Sequence, residues 1–380
     1  MTRNRRLIWT VSLTFLVMIC IIALLIFQKT TALSNREIAQ NGQNSLQHTP
    51  KQFETEAVIA GIGDILLHDT VYHDALTKDD DYNFDPMLSP VYSLLQKPDF
   101  LIANQESVPG GTKLGLSGYP SFNSPYEIID GIINAGVDMV TTANNHMLDK
   151  GEKGVLSAID YYEEKNLPYT GTFKSPEDKS TIRVVNVNGI KLAVLAYAYG
   201  TNGIPVPAGK DYLVSILEPK KVLDDIEEAK GKSDIVLLAL HWGDEYARTP
   251  NQTQKELAHQ FIEAGADIIF GHHPHVLQPI EWIDKPDGGK GVVVYSLGNF
   301  LNGQTTENEY IDIGGMIEVS IKKKTVGESS DTTIENVDFH PTFNSSTQFK
   351  NYRVYPIDEA KEKGFTDYSG KDLKQFMFPK

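Results

Sequence analysis

Ala264-Gly265-Ala266-Asp267-Ile268-Ile269-Phe270-Gly271-His272-His273-Pro274-His275 reads as a helix end, a tight turn, a short buried strand and a cluster of three histidines. A strand that ends in potential ligands is where α/β folds place their sites. A neutral imidazole offers a ring nitrogen to a metal, and His273 and His275 flank Pro274, so their rings can diverge towards neighbouring ions. Pro274 restrains the backbone and favours an extended His273. Spacing alone leaves His272 and His273 as rival ligands.

The same design recurs along the chain. Ala57 to Gly63 is followed by Asp64, and Phe100 to Ala103 by Asn104 and Glu106. Val137 to Thr142 leads to Asn144-Asn145-His146, Asp234 to Leu240 to His241, and Gly291 to Leu297 to Gly298-Asn299-Phe300. Helical spacing separates most of these strands, over 86–97, 126–135, 155–165, 219–230 and 254–264. Alternating strands and helices predict α/β layers with one site at one sheet edge. Ile133 to Val140 echoes Ile262 to Ile269 as Ile-x-Ala-Gly-x-Asp-apolar-apolar. That echo fits either a shared helix stop or two βα halves facing a common site. Thr181 to Val187 and Ile190 to Tyr199 form a hairpin turned at Asn188-Gly189.

Asp64, Glu106, Asn145, His241, His273 and His275 can be assembled into a centre for two divalent ions. Imidazole, amide and carboxylate together suit Mn, Fe, Zn or Co better than an oxygen-only calcium site. Glu106 is the candidate bridge between the ions, and Asn145 is preferred to Asn144 because His146 follows it. His146 is left to face substrate as a proton donor or oxyanion partner, with Asp149 orienting it. His48, His68, His73, His259 and His340 lack comparable partners, and most of them read as ordinary structural residues.

Composition is that of a globular protein, with 41% hydrophobic and 22% charged residues. The net charge of -15 argues against nucleic acid as a partner. Cys20, the single cysteine, excludes an intrachain disulfide. Leu7 to Phe27 is an uncharged apolar run long enough to span a bilayer, preceded by Arg3, Arg5 and Arg6. The expected order is a cytoplasmic stub (1–6), a transmembrane anchor (7–27), a flexible linker (28–55), an extracellular folded domain (56–322) and a C-terminal extension (323–380). Within that extension 323–335 reads as a polar loop and 363–380 as a loose tail. A cleaved signal peptide is the rival reading of 7–27, but the run exceeds the usual signal core.

Gly63-Asp64-Ile65-Leu66, Ala103-Asn104-Gln105-Glu106, Ala143-Asn144-Asn145-His146, His241-Trp242-Gly243, Gly271 to His275 and Ser296 to Phe300 together resemble the CapA/PgsA family of poly-γ-glutamate capsule biosynthesis proteins. The resemblance covers about residues 57–322. It implies a fold similar to calcineurin-like metallophosphoesterases: a four-layer α/β sandwich of two mixed sheets flanked by helices, behind the N-terminal transmembrane helix. It also implies a role in making, exporting or retaining poly-γ-glutamate at the surface of a Gram-positive type of cell, alongside membrane-bound synthase subunits. The pattern departs from the phosphoesterases at Leu66, where a second histidine ligand is expected, and at Asn104-Gln105-Glu106, which replaces a Gly-Asp-x-x-Asp bridge. Three activities fit: a metal-dependent hydrolase, a non-catalytic polymer-gripping accessory, and a general surface phosphoesterase. The exported part carries -18 once the three arginines are set aside, which opposes a polyanion unless metal ions or Lys210, Lys220 and Arg248 offset it.

Overall fold

The computed structural model describes residues 3–43, 51–304 and 308–379, with side chains from residue 13 to 36 in the first stretch. The chain divides into two compact units, Met1–Gln52 and Phe53–Lys380. The first is a single helix, Arg3–Gln43. Within it Leu13–Arg36 is long and apolar enough to cross a membrane, with every side chain exposed. Residues 28–43, expected to be linker, continue this helix. No proline interrupts them, and the Thr30 and Thr31 hydroxyls donate back to the carbonyls of Ile26, Phe27 and Gln28. Linker residues 44–50 lie outside the described residues.

The strands of the second unit begin with β1 (Gln52–Leu66), β2 (Phe100–Gln105), β3 (Met139–Thr141), β4 (Tyr169–Thr170) and β5 (Arg183–Val187). Next come β6 (Ile190–Ala198), β7 (Ile235–His241), β8 (Ile268–His272), β9 (Leu277–Asp284) and β10 (Lys290–Leu297). The chain closes with β11 (Asn299–Asn302), β12 (Ile313–Val326), β13 (Ser329–Thr347) and β14 (Lys350–Pro356). One sheet has the order β14-β13-β12-β1-β2-β3-β4, with β11 also pairing β1; the other has the order β5-β6-β7-β8-β10-β9. Both are mixed, since β1-β2-β3-β4 and β6-β7-β8-β10 are parallel while the flanking pairs are antiparallel.

Alternation along the strands makes the layers. In β2, Phe100 and Ile102 face the space between the sheets, while Leu101 and Ala103 face a helical layer with Ile128, Ile132 and Ile159. In β7 and β10, Ile235, Leu237, Val292 and Val294 point inwards, while Val236, Leu238 and Val293 pack on Ile226, Phe261 and Ile262 of the outer helices. The result is helix, sheet, sheet, helix: the expected four-layer α/β sandwich. The helix Gln252–Ala264 is closed at its start by a capping box between Asn251 and Gln254. Asn251→Ala is expected to cost about 1 kcal/mol of stability, read by denaturant unfolding.

The Ala-Gly echo has one structural meaning in both halves. Gly136 and Gly265 end their helices at φ 112° and 122°, and Asp138 and Asp267 accept from the backbone N–H groups of Leu101 and Val236 at 2.8 Å. Asn188-Gly189 turns the β5–β6 hairpin with both residues at positive φ, as expected.

Three expectations change. The helix over 86–97 is broken into Asp85–Leu88, a 3₁₀ turn Ser89–Val91 and Tyr92–Leu95, because Pro90 cannot supply a helical N–H. Residues 323–335 form no loop but the outer half of the β12–β13 hairpin, whose solvated faces hide its strand character. The tail over 363–380 carries a helix, Gly370–Met377, with Ser369 as N-cap and Leu373 and Met377 buried in the core between the sheets.

Candidate metal centre

The carboxyl ends of β1, β2, β7, β8 and β10 and the turn after β3 converge. Gly63 sets Asp64 against β11: a Cβ there would lie 2.0 Å from the Gly298 carbonyl oxygen, which accepts from Asp64 N–H at 2.9 Å. Gly271 does the same before His272, since a Cβ would lie 2.0 Å from the Tyr295 carbonyl oxygen. Past His272 the chain turns sharply, with His273 at φ 95° and His275 at φ 60°. His273 is therefore not the extended residue that Pro274 was expected to impose. Left-handed backbone at non-glycine residues is costly and clusters where function needs it.

Asp64, Glu106, Asn145, His241, His273 and His275 all come together here, and none is more than 4% exposed. One ligand atom each from Glu106, His273 and His275 lie within 4.8 Å of one another, as do those of Asp64, Glu106 and His241. His241 Nε2 lies 2.9 Å from Asn145 Oδ1 and 3.4 Å from Glu106 Oε1. His275 Nε2 lies 3.8 Å from Glu106 Oε1.

The two carboxylates differ. Asp64 is surrounded by donors: Asn104 Nδ2 at 2.8 Å and His272 Nδ1 at 3.0 Å on Oδ1, then His275 Nδ1 at 3.0 Å and His273 N–H at 3.3 Å on Oδ2. Burial pushes its carboxyl up, but the bonds from His272 and His275 outweigh this and hold it well below the usual range. Glu106 is equally buried, yet neither of its oxygens has a hydrogen-bond partner among the described residues. Burial pushes it up to about 7, with the charge of His275 only partly opposing. His241 and His273 also have unpartnered buried Nδ1 atoms. Burial holds His241 well below its usual value and His273 down at about 2, so both are neutral, ligand-type imidazoles. His275 is lowered by burial but raised more by Glu106 and Asp64, to about 9. A fully buried carboxylate without hydrogen-bond donors, beside the neutral imidazoles of His241 and His273, is the environment a divalent cation satisfies.

Sequence reasoning left three participants out. His272 is the partner of Asp64, Asn104 bonds the same oxygen, and Asn299 Oδ1 lies 3.1 Å from His275 Nδ1. His272 carried a signal in the sequence as the rival of His273, and Asn104 and Asn299 as polar residues that end predicted strands. His146 sits beside the centre, 6% exposed, with Nδ1 2.8 Å from Asp149 Oδ2. Asp149 accepts there and also from Phe122 N–H at 2.6 Å, fixing the imidazole with Nε2 left free of that bond. Asn144, the alternative to Asn145, instead braces the turn: its Oδ1 accepts from His146 N–H and its Nδ2 donates to the Gln105 carbonyl.

The three cations considered as counter-charges are otherwise engaged. Lys210 pairs with Glu152, Lys220 with Asp224, and the Arg248 guanidinium lies between the rings of Tyr310 and Phe376 at 3.8 and 4.0 Å.

Residues 58–304 match the family model described as bacterial capsule synthesis protein PGA_cap. The chain is 37% identical over 182 residues to the capsule biosynthesis protein CapA of Bacillus anthracis, covering 46% of this chain and 42% of that one. It is 35% identical over 201 residues to the PGA biosynthesis protein CapA of Bacillus subtilis (strain 168), covering 52% and 50%. The matched segment thus spans about half the length of these relatives. A solved phosphatase from Mycoplasma pneumoniae overlaps 78% of this chain and 97% of its own at 12% identity and a TM-score of 0.47, too remote to carry a functional argument. With a family match running from β1 through β11 and including every residue of the centre, the chain belongs to the bacterial capsule synthesis PGA_cap family.

Proposed function

We propose that this is a membrane-anchored protein of poly-γ-glutamate capsule biosynthesis, export or retention, whose folded unit lies outside the cell and whose centre holds divalent metal. The observation that carries the metal reading is Glu106: two buried, unpartnered carboxylate oxygens beside His241, His273 and His275. Nitrogen and oxygen donors in this mixture favour Mn, Fe or Zn. The Glu106 side is the primary cation position, because Asp64 is already supplied with donors by the protein and Leu66 offers no second ligand. Of the two ions expected, the one at Asp64 is the weaker.

A bound divalent ion supplies Lewis acidity and a positive field for anionic groups. Around it the chain's own residues do the rest. Asp149 and Phe122 hold His146 so that its Nε2 can donate to or accept from a ligand at the mouth. The cation would also give polymer carboxylates an attractive locus on a domain of strongly negative charge. A non-catalytic, polymer-gripping role is favoured by one observation, the saturated Asp64, which leaves less of a two-ion hydrolytic site than the phosphoesterase pattern demands. Arginines ahead of the apolar segment favour a cytoplasmic start, and membrane-bound synthase subunits are the expected partners.

The test is elemental analysis of the full chain purified in detergent without chelator. At least one equivalent of Mn, Fe or Zn is expected. An empty protein that also fails to take up added Mn or Zn sinks the metal reading.

A further inference from the structure

His68 looks unremarkable in the sequence, but the structure packs it against the same phenylalanine ring as His146, beside the centre. It follows β1 and starts the helix Asp69–Ala75 without capping it through its side chain. Its ring meets Phe122 edge-on at 5.0 Å, and Phe122 meets His146 edge-on at 4.6 Å. Phe122 is fully buried and tied through its N–H to Asp149, so one fixed ring sets the spacing of two imidazoles. Both His68 and His146 lie within electrostatic reach of each other, and His68 within reach of His275.

The hydrogen bonds choose the tautomer. His68 Nδ1 lies 3.2 Å from the Leu66 carbonyl oxygen, which can only accept, so Nδ1 carries the proton. Gly303 N–H approaches the same atom at 3.4 Å, the longer and weaker contact. Burial lowers this imidazole to about 4, so it stays neutral. Its Nε2 is then a lone-pair acceptor with no hydrogen-bond partner among the described residues. Such an atom repels an unprotonated phosphoryl or carboxylate oxygen and accepts from an N–H or O–H.

We propose that His68 Nε2 is a ligand-binding acceptor that reads a donor group, an amide N–H of an amide-linked chain, while the centre beside it takes the anionic part. The inference rests on the reading of the centre given above and adds a discrimination: an amide-bearing ligand is gripped at two points and a bare oxyanion at one.

Calorimetry on the metal-loaded full chain in detergent tests this with two probes, a γ-linked glutamate tetramer and inorganic phosphate. His68→Phe keeps a ring against Phe122 but removes the acceptor; His68→Gln restores one. The tetramer is expected to bind His68→Phe about 3- to 10-fold more weakly than wild type, with recovery in His68→Gln, while phosphate binding changes less than about twofold. Equal tetramer affinity in wild type and His68→Phe would overturn the inference, and so would a parallel loss for phosphate. A wild type that binds phosphate but no tetramer overturns it too. Metal content is measured on the same samples: normal metal with unchanged tetramer binding rejects only the role of His68, whereas a wild type that takes up no metal rejects the reading of the centre. Unfolding midpoints of the two variants within a few degrees of wild type exclude misfolding as the cause.

Discussion

Glu106→Gln is expected to abolish stoichiometric metal binding, weakening divalent affinity by at least about 100-fold while leaving the fold intact. The carboxylate is the charged group common to both ligand clusters, and among the described residues no cationic side chain other than the neighbouring histidines reaches it. Glutamine preserves shape and removes the charge that offsets a buried divalent ion. The measurement is Mn and Zn titration of chelator-stripped wild type, Glu106→Gln and His273→Ala. His273→Ala should show a smaller loss, about 10- to 100-fold, because a neutral ligand contributes less than a charged one and His241 and His275 remain. Unaltered metal binding in Glu106→Gln would place the ion elsewhere.

The same substitution should stabilise the metal-free protein at neutral and alkaline pH. Glu106 has its folded value raised from 4.5 to about 7, so the folded state holds a proton that the unfolded state has released. Its favourable contribution is therefore complete below about pH 4.5 and is lost as pH rises through 7. Glutamine cannot ionise, so the difference in stability between variant and wild type should be near zero at pH 4.5 and reach about 2–3 kcal/mol by pH 8. Denaturant unfolding in chelator across pH 4.5 to 8 gives that difference. The wild-type curve alone is not diagnostic, because His241, His273 and His68 are all held low and lose stability in the opposite direction, as pH falls below about 6.5. Added Mn should reverse the trend in wild type, since metal binding requires Glu106 deprotonated, and should leave Glu106→Gln unmoved. A flat difference curve would mean that Glu106 already has a counter-charge or water in the metal-free state.

How much of this was legible in advance depends on the range of the interaction. Helix stops at Gly136 and Gly265, the Asn188-Gly189 hairpin and the inward–outward alternation of β2, β7 and β10 are local, and their residues announce them. The outer half of the β12–β13 hairpin and the final helix were not legible, because their polar faces hide the alternation and only packing against the core gives them order.

From the sequence alone come the α/β layering, the apolar N-terminal segment and the six residues gathered at the strand ends. These follow from short-range periodicity and from strands that stop at polar residues with ligand chemistry. Only the tertiary structure decided which histidine supports Asp64, that Glu106 rather than Asp64 lacks hydrogen-bond partners, and that His68 and His146 both pack on the ring of Phe122. Those distinctions depend on burial and on which donors arrive from strands 40 to 211 residues away, and no local pattern in a chain encodes either.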